Sequence, residues 1–138
     1  MPPPAVWGPA LWRFLHAFAA KVGKGPSFTR VDEQREALWL LDHLDTVIPC
    51  AICRKHWRAN RASAPGPPTA EWMFAVHNNV NRMLDKVVLS EIPVVTASPR
   101  KEWAAYLAVI KESFAQGHLE NFRVAEFTHH VGLWSSFA

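Results

Sequence analysis

VIPCAICRKHW, residues 47 to 57, holds the chain's only two cysteines, Cys50 and Cys53, three positions apart, behind Pro49 and ahead of His56. Such a pair can be half of a metal site, a redox dithiol, or two buried thiols that happen to be close. The surrounding frame bears on the choice. A thioredoxin-type site needs a strand before the pair and a βαβ unit around it. Upstream of Cys50 there is instead a helical stripe, Ala37, Leu41, Leu44 and Ile48, with acidic Asp32 and Glu33 in its first turn. Pro49 cannot continue that helix, so a new short helix is expected at or just after Cys50.

Working outward, the same period recurs. Trp7, Leu11, Leu15, Phe18 and Val22 mark a first helix that GKGPS, residues 23 to 27, brings to an end. SAPGPP, residues 63 to 68, is a break, after which Thr69 caps a fourth helix with the stripe Trp72, Val76, Val80, Met83 and Val87. Residues 92 to 95, IPVV, lack a helical period and read as an extended linker. Ser98-Pro99 then opens a helix with Trp103, Leu107, Ile110 and Phe114 on one face and Gly117 at its end. From His118 onward the residues leave coil and a short helix both open, and His129 and His130 are expected at the surface. The fold class is all-α: a four-helix bundle with an additional short helix.

At 138 residues and 49% hydrophobic, the chain has the length and apolar content for one domain, expected over residues 1–138 with a core from about residue 6 to 115 and a tail from 118 to 138. Seven Trp and eight Phe against one Tyr serve either a dense core or the walls of a pocket for a planar ligand. The net charge is +3, with Lys and Arg scattered among acids, so no nucleic-acid footprint is visible; a polyanionic small ligand such as a dinucleotide fits that excess equally well. The apolar stretch from Ala5 to Val22 opens with prolines and is interrupted by Arg13 and His16, unlike a secretory signal. No run reaches the roughly 18 to 20 uncharged residues that span a bilayer. A soluble, intracellular, leaderless protein is the expectation.

Zinc needs about four ligands, which Cys50, Cys53, His56 and His77 could supply. Covalent haem attachment requires His directly after the second cysteine, where Arg54 stands. Inert thiols also remain open, since free cysteine behaves as a small hydrophobe. Against inertness stands electrostatics: a helix starting at Pro49 places Cys50 at its positive end, where unpaired N–H groups stabilise a thiolate, and Arg54 and Lys55 act in the same direction. The i, i+3 spacing puts both sulfurs on one face, close enough for a disulfide. A redox pair in a helical frame then needs an electron acceptor. Trp12 and His16 lie one turn apart in the first helix, and His77 and Asn81 in the fourth, with Lys86 beyond. Polar groups on inner or boundary faces cost roughly 1–3 kcal/mol each without partners, and a bound polar aromatic ligand would supply them.

WGPALWRFLHAFAA (residues 7–20), IPCAIC (48–53), Trp72 and HNNVNRMLDK (77–86), in that order, resemble the Erv/ALR-type FAD-linked sulfhydryl oxidases, which carry W-x-x-L-H, Y-P-C-x-x-C and H-N-x-V-N-x-x-L-x-K at matching separations. The resemblance covers Trp7 to Lys86. It implies a helical bundle that grips FAD, with the CxxC disulfide beside the flavin ring. Position by position, Gly8, Trp12 and His16 match contacts of the first helix; His77, Asn78, Val80 and Asn81 match residues along the adenine and ribose; Lys86 matches a lysine toward the phosphates. Trp103 matches, at a longer spacing, an aromatic that the family supplies after its fourth helix. His56 matches a histidine of some relatives. Cys53 is then the flavin-side sulfur and Cys50 the substrate-side one, with electrons passing from a dithiol protein to FAD and on to molecular oxygen. A homodimer through the first two helices is implied too.

Three departures carry consequences. Ile48 stands where the family has Tyr. Phe74 and Glu91 stand where many relatives have a structural disulfide, so Phe74 packing is expected to take over part of its work. The second cysteine pair that shuttles electrons in many cellular relatives is absent from these residues, so a separate thioredoxin-like or small dithiol protein is expected to deliver electrons to Cys50. In format the chain is similar to family members encoded by large DNA viruses, which implies action in a host cytoplasm or virion.

Overall fold

A computed structural model describes residues 3–138. They form six α-helices: α1 (Pro4–Lys21), α2 (Arg30–His43), α3 (Ala51–Ser63), α4 (Ala70–Met83), α5 (Pro99–Ala115) and α6 (Asn121–Phe137). Among the described residues there is no strand. The fold is all-α, as the sequence pattern requires. α1 packs on α5 and α4, α2 packs on α6, and α5 meets α6, so the core lies between α1, α2, α5 and α6 while α3 and α4 lean on one flank. No helix is long and apolar enough to cross a membrane among those residues.

The helix ends follow local chemistry. Thr69 Oγ1 accepts from the Trp72 amide at 3.1 Å, and Ser98 Oγ from the Lys101 amide at 3.2 Å, so both sequence-expected caps are made. Gly23 and Gly117, after α1 and α5, take φ of +74° and +77°, a region that costs glycine little. The Gly23 amide donates to the buried Glu33 carboxylate at 2.6 Å, tying the end of α1 to α2. Before Pro49, the end of α2 tightens into a 3₁₀ turn, Leu44–Val47, and α3 begins directly after Cys50. At 13 residues α3 is longer than the short helix expected there.

Two stripes differ from expectation. α4 stops at Met83, because Asp85 turns to a left-handed φ of 54°. Met83 and Val87 are therefore solvent-facing, and the buried face is Met73, Val76, Asn78 and Asn81. On α5 the buried face is Trp103, Tyr106, Ile110 and Ser113, with Leu107 and Phe114 flanking it. The C-terminal residues differ most. α6 runs for 17 residues, and Val124, Phe127, Val131 and Trp134 enter the core. Phe127 is fully buried among Phe14, Trp39 and Trp103, whose ring centroids lie 6.5, 6.1 and 4.8 Å away. His130 is not a free surface group. It stacks on Trp39 at 3.6 Å and donates from Nδ1 to the buried Glu36 carboxylate at 2.6 Å, while His43 also stacks on Trp39, at 3.9 Å.

Phe127→Ala would leave a large cavity where α6 meets α1, α2 and α5. It is expected to cost about 3–5 kcal/mol. Urea unfolding followed by far-UV circular dichroism reads this directly, and a loss under about 1 kcal/mol would mean that α6 is peripheral.

Candidate active site

Directly after Pro49, Cys50 stands in extended geometry at the head of α3, where its sulfur accepts from the Cys53 amide at 3.3 Å. Cys50 is thus the N-cap of α3, the helix-start position that the proline before it implies. The sulfurs of Cys50 and Cys53 lie 2.6 Å apart, with both cysteines half-buried and free. Two bonds from elsewhere hold the turn that carries them. The Tyr106 hydroxyl on α5 donates to the Val47 carbonyl at 2.5 Å, and Arg54 donates to the Ile48 carbonyl at 2.7 Å. Burial also raises the Tyr106 hydroxyl pKa, so it stays a donor.

The thiolate-stabilising setting that the helix head and basic neighbours imply at Cys50 does not extend to Cys53. Burial first, then the hydrogen bond and charge of the neighbouring Cys50 sulfur, push the Cys53 thiol up to about 12; Arg54 opposes this and loses. Nor do Cys50, Cys53, His56 and His77 converge into a metal site. Among the described residues no group of three His, Cys, Asp or Glu side chains could hold a metal ion.

Beside the pair lies a cavity of about 450 Å³, within the range of small-molecule sites. Of the two cysteines, Cys53 lines it and Cys50 does not. From α1 come Gly8, Trp12 and His16; from α4, His77, Val80 and Asn81; from the segment after α4, Lys86. His56 and Ile48 line it too. A Cβ at Gly8 would meet no atom within 4 Å, so glycine there leaves open space at the cavity wall.

The two histidines are joined. His16 Nε2 and His77 Nδ1 share a hydrogen bond of 2.8 Å, and His77 stacks on Trp12 with centroids 3.8 Å apart and planes 4° from parallel. Burial lowers the His16 pKa to about 4. His77 is lowered to about 4 by burial, then by His16 and by Lys86. Both rings are neutral at physiological pH, one donating and the other accepting. The second ring nitrogen of His16 is buried with no protein partner among the described residues. An unpaired polar atom on a residue of a largely apolar cavity fits a ligand that is aromatic in its body and polar at its edge.

Two expected site residues lie elsewhere. Asn78 faces away from the cavity, and its amide is committed to the backbone of Leu89, donating at 3.1 Å and accepting at 2.7 Å. Trp103 is in the core between α1, α5 and α6, where its indole N–H donates to Thr128 Oγ1 at 3.0 Å. Its sequence distance from α4 is taken up by the irregular segment, and α5 turns it inward. Conversely, Leu44, Leu84, Pro93 and Val95 line the cavity without having been singled out. The signal for the last two was the apolar run 92–95, whose lack of helical period marked it only as a linker.

Residues 9–104 match the Erv1/Alr family. A protein of African swine fever virus (isolate Pig/Kenya/KEN-50/1950), named FAD-linked sulfhydryl oxidase, is 30% identical over 94% of this chain and 97% of its own length. A similarly named Arabidopsis thaliana protein is 34% identical over 59% of this chain and 44% of its own, and a mitochondrial one of Schizosaccharomyces pombe is 30% identical over 62% and 50%. No solved structure matches significantly. With its cysteine pair at the head of a helix and its aromatic and histidine residues gathered around one cavity, the chain belongs to the Erv1/Alr family.

Proposed function

We propose that this protein is an FAD-linked thiol oxidase that makes disulfides in protein substrates. One observation carries the reading: Cys53 lines the cavity while its sulfur lies 2.6 Å from that of Cys50, which does not line it. The pair thus bridges outside and inside. In the oxidised enzyme a substrate thiolate attacks Cys50, the Cys50–Cys53 bond breaks, and Cys53 leaves with the electron pair. The substrate's second thiolate then attacks its own sulfur in the mixed disulfide and releases Cys50. The substrate leaves as a disulfide, and two electrons stay on the enzyme cysteines.

FAD bound in the cavity would supply the acceptor chemistry, a two-electron sink that molecular oxygen would reoxidise with hydrogen peroxide as the product. Gly8, Trp12, His16, His77, Val80, Asn81 and Lys86, which line the cavity, would hold it, with Lys86 supplying positive charge for its phosphates. The chain's own part is placement. Tyr106 and Arg54 fix the turn that carries the sulfurs, and burial keeps the proton on reduced Cys53 until it is removed for the pair to close again. Within these 138 residues there is no second cysteine pair, so a thioredoxin-like or small dithiol protein brings electrons to Cys50. A homodimer through α1 and α2 fits Phe28 and Val31, which are 87% and 79% exposed beside that face.

Cys53→Ser is expected to keep its yellow flavin and lose essentially all oxygen uptake with a model dithiol. A colourless wild-type protein, or a Cys53→Ser variant as fast as wild type, would overturn the assignment. Sedimentation at micromolar concentration should give a dimer, and Phe28→Glu a monomer; a monomeric wild type would remove the dimer.

The histidine pair predicts an acid limit. Both folded-state pKa values, about 4, lie below the ordinary 6.5. Between those values the unfolded chain binds protons that the folded one does not, so this contribution is complete above about 6.5 and is lost as pH falls toward 4. Urea midpoints taken from pH 7 to 4 should fall through that window, less steeply in His77→Gln; equal slopes would contradict the burial of the pair.

A further inference from the structure

α4 and α5 are joined by residues 84–98, which form no regular structure. Leu84, Lys86, Pro93 and Val95 of this strap form part of the cavity wall. Little holds the strap there. Val87 and Val94 are 91% and 89% exposed, so burial anchors its middle weakly. Backbone pairing with α4 ends where the Lys86 amide donates to the Asn81 carbonyl at 2.7 Å. From residue 87 to 97, only Leu89 makes hydrogen bonds to the rest of the described residues, and both of its bonds go to one side chain. The Leu89 amide donates to Asn78 Oδ1 at 2.7 Å, and Asn78 Nδ2 donates to the Leu89 carbonyl at 3.1 Å. Asn78 is itself buried, so water competes poorly for either bond.

We infer that Asn78 is a positioning residue for the cavity: it pins the strap that carries Lys86, Pro93 and Val95 to the wall, and so sets how long a cofactor stays bound. The second half of that statement rests on the cavity being the FAD site. The first half does not. Asn78 lies on α4, two residues before Val80 and one after His77, so the helix that presents cavity residues also holds the strap's part of the wall in register. The segment it secures includes Glu91, one of the two positions at which a family disulfide is missing here. Phe74, at the other, is half-buried and lies outside the core, and the amide clamp of Asn78 ties the same helix to the strap.

Amide hydrogen exchange tests the clamp in the wild-type protein: Leu89 should be protected while Val88 and Ser90, whose amides have no partner among the described residues, exchange at the unprotected rate. In Asn78→Ala, Leu89 protection should vanish, proteolysis within residues 87–97 should accelerate, and FAD should dissociate on the order of tenfold faster, with helix content unchanged. Asn79→Ala, one residue along at an exposed position, should change none of these. Wild-type Leu89 exchanging as fast as its neighbours would overturn the inference, even if Asn78→Ala did not fold. So would an Asn78→Ala protein that has lost Leu89 protection yet releases FAD at the wild-type rate. A wild-type protein that binds no FAD would instead defeat the functional reading, while Leu89 protection would still decide the clamp.

Discussion

Cys50 caps α3 and at the same time keeps its sulfur beside that of Cys53. The two demands are compatible because the cap position is extended, so the sulfur turns back over the first helical turn, where the Cys53 amide and sulfur both lie. Pro49 holds Ile48 before it in the extended region and fixes its own φ, so the chain reaches the cap without continuing the preceding helical turn. The rest of the molecule arranges itself around that turn. The 3₁₀ segment ahead of it presents the Val47 and Ile48 carbonyls to Tyr106 and Arg54, so α5 and α3 both brace the sulfurs from outside.

A ligand cavity next to a pair of thiols that exchange electrons, as proposed here, has to stay dry enough to keep thiols buried and polar enough to orient a ligand. The first demand shows in Cys53, whose proton is held by burial against the pull of Arg54. The second shows in His16 and His77, which share one hydrogen bond and leave a buried nitrogen of His16 unpaired. A purely structural apolar pocket would gain nothing from such an atom, since an unmatched buried polar group destabilises the fold. Trp12 keeps the arrangement rigid by lying flat against His77.

Helix α6 supports the site from a distance. It makes no part of the cavity wall, yet Phe127 and Trp134 fill the space against Phe14 and Phe18 of α1, whose other face carries Trp12 and His16. The stack of His130 and His43 around Trp39, with Glu36 bonded to His130, seals α6 to α2. A rigid α1 is therefore a product of packing on both flanks, α5 on one and α6 beyond it, rather than of its own helical propensity.

Local rules made much of this legible. The proline breaks, the Thr69 and Ser98 caps, the terminal glycines and the cysteine spacing act within a few residues of themselves, so the chain of letters determined them: an all-α fold, the starts of α4 and α5, and a cysteine pair at the head of α3. The order of motifs was enough to name the family. The stripe Val124, Phe127, Val131, Trp134 was equally readable, but its helix lacks a side-chain cap and a clear start signal. Other features depend on which groups meet across the fold. Whether Trp103 and Asn78 face a ligand, whether Cys53 is acidic, and which linker residues wall the cavity were decided only by tertiary structure, because burial and hydrogen-bond partners come from residues tens of positions away, and neither leaves a mark on the local sequence.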